Sequence, residues 1–382
     1  MSVYAKGVAC FRQYKTPAFR HRLLKVIRET RISSWLCQSI VPENISIHKV
    51  SGAMTNAVFF VSCPPWPGVK TLLLRVYGPS SGTLINRSRE LHILHILSSQ
   101  YRIGPRVYGT FDNGRLEEYF DSSALTAEDL RDPEISRWIA IRMAQLHSVD
   151  IDAIEENDDE GKGWDIAAKR NVKGWMAPAQ EVLDLPGVQD TQRTAINLEL
   201  FQQQWATYLE KLAKHEDTSF GSRRVFAHND TQYGNLLRSS HLKEGLPKHQ
   251  QIVVVDFEYA SPNPAAYDIA NHFFEWTADY HGAEPHILQL QDKYPTLVER
   301  QNFYRAYLEH SNLESRASVE ELMKQLDEQV LLWRPASHAI WALWGLVQAR
   351  DDVEQGVENP EFDYVGYAQC RFDGFRRDLA LL

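Results

Sequence analysis

Two short stretches constrain this chain more than anything else in it. The first is His228-Asn229-Asp230-Thr231-Gln232-Tyr233-Gly234-Asn235. The second is the apolar run Ile252–Val255, which ends in Asp256-Phe257-Glu258. Asp230 and Asn235 stand five residues apart, a carboxylate and a carboxamide on one polar segment. The β-branched run after them reads as a buried strand that delivers Asp256. Taken singly, His228-Asn229-Asp230 is an ordinary polar turn and Asp256 a strand-end cap. The ordered pair, joined by a short connection carrying Gly234 and Gly245, argues against both bland readings.

The chemistry such a pair serves is phosphoryl transfer. ATP gathers several negative charges in one place, so moving its γ-phosphoryl group needs a divalent metal and an in-line nucleophile. Mg²⁺ takes oxygen ligands, usually one or two carboxylates plus phosphates. Asp256 and Asn235 suit that role. Asp230 suits a base that accepts or orients the proton of an attacking hydroxyl. Protein kinases use the same base-to-amide spacing in H-R-D-x-x-x-x-N and deliver the aspartate of D-F-G in the same way. Here Glu258 stands in place of that glycine. It excludes a simple protein-kinase reading and adds a carboxylate near the metal.

Upstream, residues 21–40 read as an amphipathic helix. Strand candidates follow at Ile45–Val50, Ala57–Ser62, Leu72–Tyr77, Arg106–Phe111 and Arg115–Phe120, with a helix at Leu84–Ser99 between them. The turn Ser51–Asn56 could cover phosphates with backbone N–H groups, but it is neither G-x-G-x-x-G nor a Walker A loop. Arg75 ends an apolar strand, and Glu90 falls in the next helix, where it could pair with Arg75. A strand-end surface arginine is the alternative. Residues 121–382 read as mainly helical, with helices at Glu128–His147 and Thr194–Leu212 and an acidic loop at Asp152–Gly163. The expected class is α+β with two lobes. The first, 1–121, is an antiparallel-sheet lobe; the second, 122–382, is larger and helical.

Charge narrows the partners. A net charge of −9 without a lysine/arginine block makes no case for nucleic acid. The four cysteines are far apart and form no C-x-x-C, so zinc is not suggested. No apolar run approaches a membrane span, and the start lacks a signal-peptide core, so a cytoplasmic protein is expected.

Over most of its length the chain resembles the choline/ethanolamine kinase family, and within it the fungal choline kinases. The resemblance is carried by Ser51-Gly52-Ala53-Met54-Thr55-Asn56, Leu72–Gly78, Gly114–Glu117, His228–Asn235 and Asp256–Tyr259. It continues through Asp268–Trp276, Ala336-Ser337-His338, Trp341–Trp344 and Tyr367-Ala368-Gln369. It implies a protein-kinase-like fold that uses ATP and Mg²⁺ to phosphorylate a small amino alcohol. The implied reaction is choline to phosphocholine, the first step of phosphatidylcholine synthesis by the CDP-choline route. Carried over by position, Ser51, Asn56, Arg75, Glu90, Glu118, Phe120 and Gln232 serve the nucleotide. Glu117–Phe120 is then the hinge strand whose backbone meets adenine. Asp230, Asn235 and Asp256 are catalytic, and Asn235, Asp256 and Glu258 hold metal.

The resemblance also assigns a pocket. Trimethylammonium donates no strong hydrogen bond, so aromatic faces and nearby negative charge must recognise it. Trp341 and Trp344 lie three apart on one helix. From spacing alone such aromatics read as helical core. The family match points to Glu275, Tyr280, Trp341, Trp344 and Tyr367 as the choline pocket, with Trp276, Trp333 and Tyr364 as core or support. Asp268, His272 and His228 read as braces of the catalytic loop. Ethanolamine kinase, an aminoglycoside phosphotransferase and a non-catalytic quaternary-amine sensor are the alternatives. Related kinases are often dimers, so a homodimer is among the expected partners.

Overall fold

The computed structural model describes residues 4–5, 14–50, 56–77, 87–154, 166–242 and 244–382. Ser51, with the rest of 51–55, and the acidic stretch 155–165 lie outside the described residues. Asn56 is described only as the first residue of a strand. The chain divides into two compact units. The first is Met1–Ser122 with Ser239–His241 and Val253–Glu258; the second is Ser123–Arg238, Leu242–Ile252 and Tyr259–Leu382.

The first unit is built on six strands: β1 (Tyr4–Ala5), β2 (Ser46–Lys49), β3 (Asn56–Ser62), β4 (Leu72–Tyr77), β5 (Val107–Phe111) and β6 (Gly114–Glu118). Their order is β1-β5-β6-β4-β3-β2, antiparallel except where β1 runs parallel to β5. Helix α1 (Pro17–Glu29) packs its apolar stripe of Phe19, Leu23, Leu24 and Ile27 against Phe59, Leu72, Leu74, Val76 and Leu116. The helix expected over 21–40 starts and stops earlier. Thr16 caps it by accepting from Phe19 N–H, Pro17 fills its first turn, and Arg31 at φ 56° leaves the helical region. Helix α2 (Arg87–Ile96) follows β4.

The second unit is mainly helical. Its longer helices are α3 (Pro133–Leu146), α4 (Ala167–Leu183), α5 (Leu198–His215), α6 (Ala265–Glu275), α7 (Leu297–His310), α8 (Val319–Gln348) and α9 (Tyr364–Ala380). Helix α3 begins at Pro133 because Asp132 accepts from the N–H groups of Glu134 and Ile135. The helix expected over Thr194–Leu212 is two, broken at Asn197 with φ 42°. An antiparallel pair, β7 (Arg224–Ala227) and β8 (Ser261–Pro264), lies beside α6. Every residue of α6 is buried, and so is α8 from Trp333 to Val347 apart from Arg334. A helix buried all round can present polar groups only inward. No helix among the described residues is long and apolar enough to cross a membrane.

Candidate active site

Strand alternation sorts the charges of the first unit. Leu72, Leu74 and Val76 of β4 and Leu116 of β6 face the core, so Arg75, Arg115 and Glu117 share the opposite face. The register sets Arg75 directly across from Arg115. Two buried guanidiniums side by side require carboxylates. Arg75 donates to Asp256 Oδ2 at 3.1 Å, and its Nε lies 3.5 Å from Glu117. Arg115 donates to Glu117 and, at 2.7 Å, to Glu90 on α2. Glu90 therefore does not pair with Arg75 as expected. Arg115 and, at 2.9 Å, Arg87 take it, while Arg75 is engaged by Asp256 and Glu117. Burial works to raise Glu90, but the guanidiniums, Arg115 foremost, hold it down at about 2. Arg115 was missed as a site residue. Its signal was the Arg115-Leu116-Glu117 alternation, which puts both charges on one strand face.

Asp256 sits at φ 66°, a left-handed conformation that aspartate tolerates better than most residues. Arg75 takes its Oδ2, while Oδ1 is buried and accepts no hydrogen bond. Glu90, Asp256 and Glu258 each bring a carboxylate oxygen within 4.8 Å of the others. An all-oxygen cluster with a buried orphan acceptor fits Mg²⁺. Glu258 lies 3.4 Å from Arg87. Burial, reinforced by Asp256, nevertheless pushes it up to about 7, as for carboxylates crowded in low dielectric.

In the second unit β7 runs into His228-Asn229-Asp230, and α6 pins that loop. Asp268 accepts the successive N–H groups of His228 and Asn229 at 2.9 and 2.8 Å. His147, from α3's C-terminal end, joins it at 3.0 Å and meets Tyr307 OH at 2.9 Å. Burial pushes the His147 imidazole down. Burial alone would raise Asp268, but its hydrogen bonds and the neighbouring histidines bring it below the usual carboxylate range. Asn229, at φ 66°, donates to Tyr259 O at 2.9 Å and Ser261 O at 3.2 Å and accepts from Asn263 at 2.8 Å. His272 meets Thr231 O at 2.9 Å and so braces the loop.

Asp230 and Asn235 are brought together. Asn235 Nδ2 lies 2.9 Å from both Asp230 O and Asp230 Oδ2. Both contacts use the Asn235 amide nitrogen and not its Oδ1. Asp230 N–H donates to His228 Nδ1 at 3.3 Å.

The aromatic residues form a second cluster in the same unit. The Trp341 and Trp344 rings meet edge to face at 5.3 Å, and Tyr367 on α9 lies 6.1 Å from Trp344. Trp341 N–H donates to Asn271 Oδ1 at 2.7 Å, and Asn271 in turn donates to Asn229 O at 3.1 Å. Trp344 N–H donates to Tyr259 OH at 2.8 Å. The indole hydrogen bonds thus fix both rings, that of Trp341 through Asn271 to the backbone of Asn229. Glu275, at the end of α6, accepts from Tyr280 OH at 2.7 Å and from Arg371 at 3.3 Å. Trp276 and Trp333 are core, with indole N–H groups satisfied by His272 and Ser222.

The remaining nucleotide expectations fall in ordinary surroundings. Glu118 closes β6 and accepts from Arg106 N–H at 3.3 Å. Phe120 O accepts from Ser122 at 3.1 Å, and Gln232 opens the turn that carries Asn235. The contacts of Arg371 with Glu275 and of Tyr259 with Trp344 were not foreseen.

The model of the choline/ethanolamine kinase family matches residues 47–376. The chain belongs to the choline/ethanolamine kinase family. Among its relatives is the choline kinase of Schizosaccharomyces pombe, 32% identical over 96% of this chain and 90% of that one. Another is the human choline/ethanolamine kinase, 31% identical over 90% of this chain and 82% of that one. The crystal structure of a choline kinase from Cryptosporidium parvum superposes with a TM-score of 0.70 at 24% identity. It covers 94% of this chain and 95% of that chain, and at that identity it speaks to the fold alone. The fold is the protein-kinase-like one of this family of kinases, an antiparallel sheet followed by a helical majority.

Proposed function

We propose that this chain is an ATP- and Mg²⁺-dependent choline kinase, making phosphocholine for the CDP-choline route. The observation that carries this reading is the ring cluster of Trp341, Trp344 and Tyr367, tied by hydrogen bonds to the segment that holds Asp230. Aromatic faces suit a methylated cation, whose charge is diffuse and which offers no N–H donor.

In the proposed reaction Asp230 takes or orients the proton of the choline hydroxyl. Asn235 holds the Asp230 carboxylate in place, and Asp268 fixes the backbone beneath it. Arg75 offers a permanent cation to the phosphates. Asn235 Oδ1, Asp256 Oδ1 and Glu258 are the oxygens that would hold magnesium, which neutralises phosphate charge when bound.

A coupled ADP-release assay across ethanolamine, its mono- and dimethyl derivatives and choline tests the reading. The expected kcat/KM rises with methylation. Preference for ethanolamine would make the chain an ethanolamine kinase, and no ADP with any of them would leave only amine binding.

A further inference from the structure

A pocket proposed to take a cation has a buried cation built beneath it. Helix α9 carries Tyr367 and Arg371 four residues apart, on one face. Arg371 is fully buried. Its Nε donates to Tyr367 OH at 3.0 Å and its Nη2 to Glu275 Oε1 at 3.3 Å. Its Nη1 is buried without a partner. The guanidinium carbon lies 5.1 Å from the Tyr367 ring and 5.7 Å from that of Phe274. Glu275's other oxygen accepts from Tyr280. The Glu275 carboxylate is therefore paired with a cation and hydrogen-bonded on both oxygens. Burying an arginine with an incomplete set of acceptors is costly, so a role is expected.

We infer that Arg371 is a positioning residue that sets substrate selectivity: by pairing with Glu275 it withholds a free carboxylate from the pocket and leaves recognition to the aromatic faces. This rests on the choline-kinase reading above. A primary ammonium brings three N–H donors and loses strong hydration on entry, so it needs an acceptor to compensate. A trimethylammonium group has no such need. A neutral ion pair behind aromatic walls thus disfavours the first and spares the second. Arginine suits the task because it stays charged at any working pH.

The groups facing Glu275 support the assignment. They are Arg371 and Tyr367 on α9, Tyr280 beyond α6 and Tyr233 in the catalytic loop. Burial raises all three phenols, which stay neutral. Burial also raises Glu275, and Arg371 is the strongest influence against that rise.

The test compares wild type with Arg371→Lys, Arg371→Met and the double variant Arg371→Met/Glu275→Gln. The readout is kcat/KM for choline and ethanolamine at about pH 6.5 and about pH 8, on either side of neutrality. In Arg371→Met the choline preference should fall roughly 10- to 100-fold, the worth of one charged hydrogen bond regained by ethanolamine. Burial raises Glu275, so with Arg371 gone the KM for choline should also fall as pH rises. Arg371→Lys keeps a charge and should stay flat with pH. The double variant leaves no unpaired buried ion, so it should fold even if Arg371→Met does not. It should keep the choline preference without the pH dependence. Equal losses on both substrates with no pH dependence in Arg371→Met would overturn the inference, as would loss of choline preference in the double variant. Wild-type enzyme that turns over no amino alcohol sinks the functional reading instead, before any variant is made.

Discussion

Asp230 has its carboxylate held by the Asn235 amide, and its proposed catalytic worth can be isolated. Asp230→Asn keeps size and removes basicity, so kcat should fall about 10²- to 10⁴-fold with ATP binding kept. Near-normal turnover by the folded variant would remove Asp230 from the chemistry. Asp256 and Asn235 should differ in severity. Asp256→Ala should abolish activity at ordinary Mg²⁺, because it deletes a charged ligand and the counter-ion of Arg75. Asn235→Ala deletes a neutral ligand and should lose less, with partial recovery at raised Mg²⁺. Small, equal losses would leave Glu258 as the principal carboxylate for the metal. Asp230, Asn235 and Asp256 were legible as candidates because they lie close together and in order along the chain. Arg115 and Arg371 were not. Their partners Glu90 and Glu275 lie 25 and 96 residues away, and only the folded register shows that those charges meet.

At the scale of elements, α8 is the decisive helix. It places Trp341 and Trp344 one turn apart, and its burial made core and pocket indistinguishable by spacing. Trp344→Ala should raise KM for choline about 2- to 30-fold, the range of one aromatic face, with little change for ATP. It should also narrow the gap to ethanolamine. Steady-state titrations with each substrate decide it: equal damage to choline and ATP kinetics, or loss of stability alone, would return Trp344 to the core. The strands of the first unit were largely visible as apolar alternation, while helix ends were not. Asn197 and Arg31 both end helical runs by turning to positive φ, a backbone choice that apolar periodicity does not encode.

For the whole molecule, buried histidines tie stability to pH. Burial holds His272 and His338 down to about 4 from an ordinary 6.5. Between about pH 6.5 and about pH 4 the unfolded chain then binds more protons than the folded one, so stability falls as pH drops through that window. Each is worth on the order of 3 kcal/mol across it. Glu258, raised to about 7, acts in the opposite sense. Urea unfolding of wild type and His338→Gln at about pH 7 and about pH 5 separates the contributions. The variant should lose less stability on acidification, and parallel losses would clear His338. The division of the chain has a further consequence, for synthesis. Residues 1–122 leave the ribosome well before Val253–Glu258, which complete the first unit. At ordinary elongation rates that gap lasts on the order of ten seconds. During it Arg75 lacks its Asp256 partner. The sheet unit is therefore completed only after Val253–Glu258 have been made, although its strands are all synthesised before them.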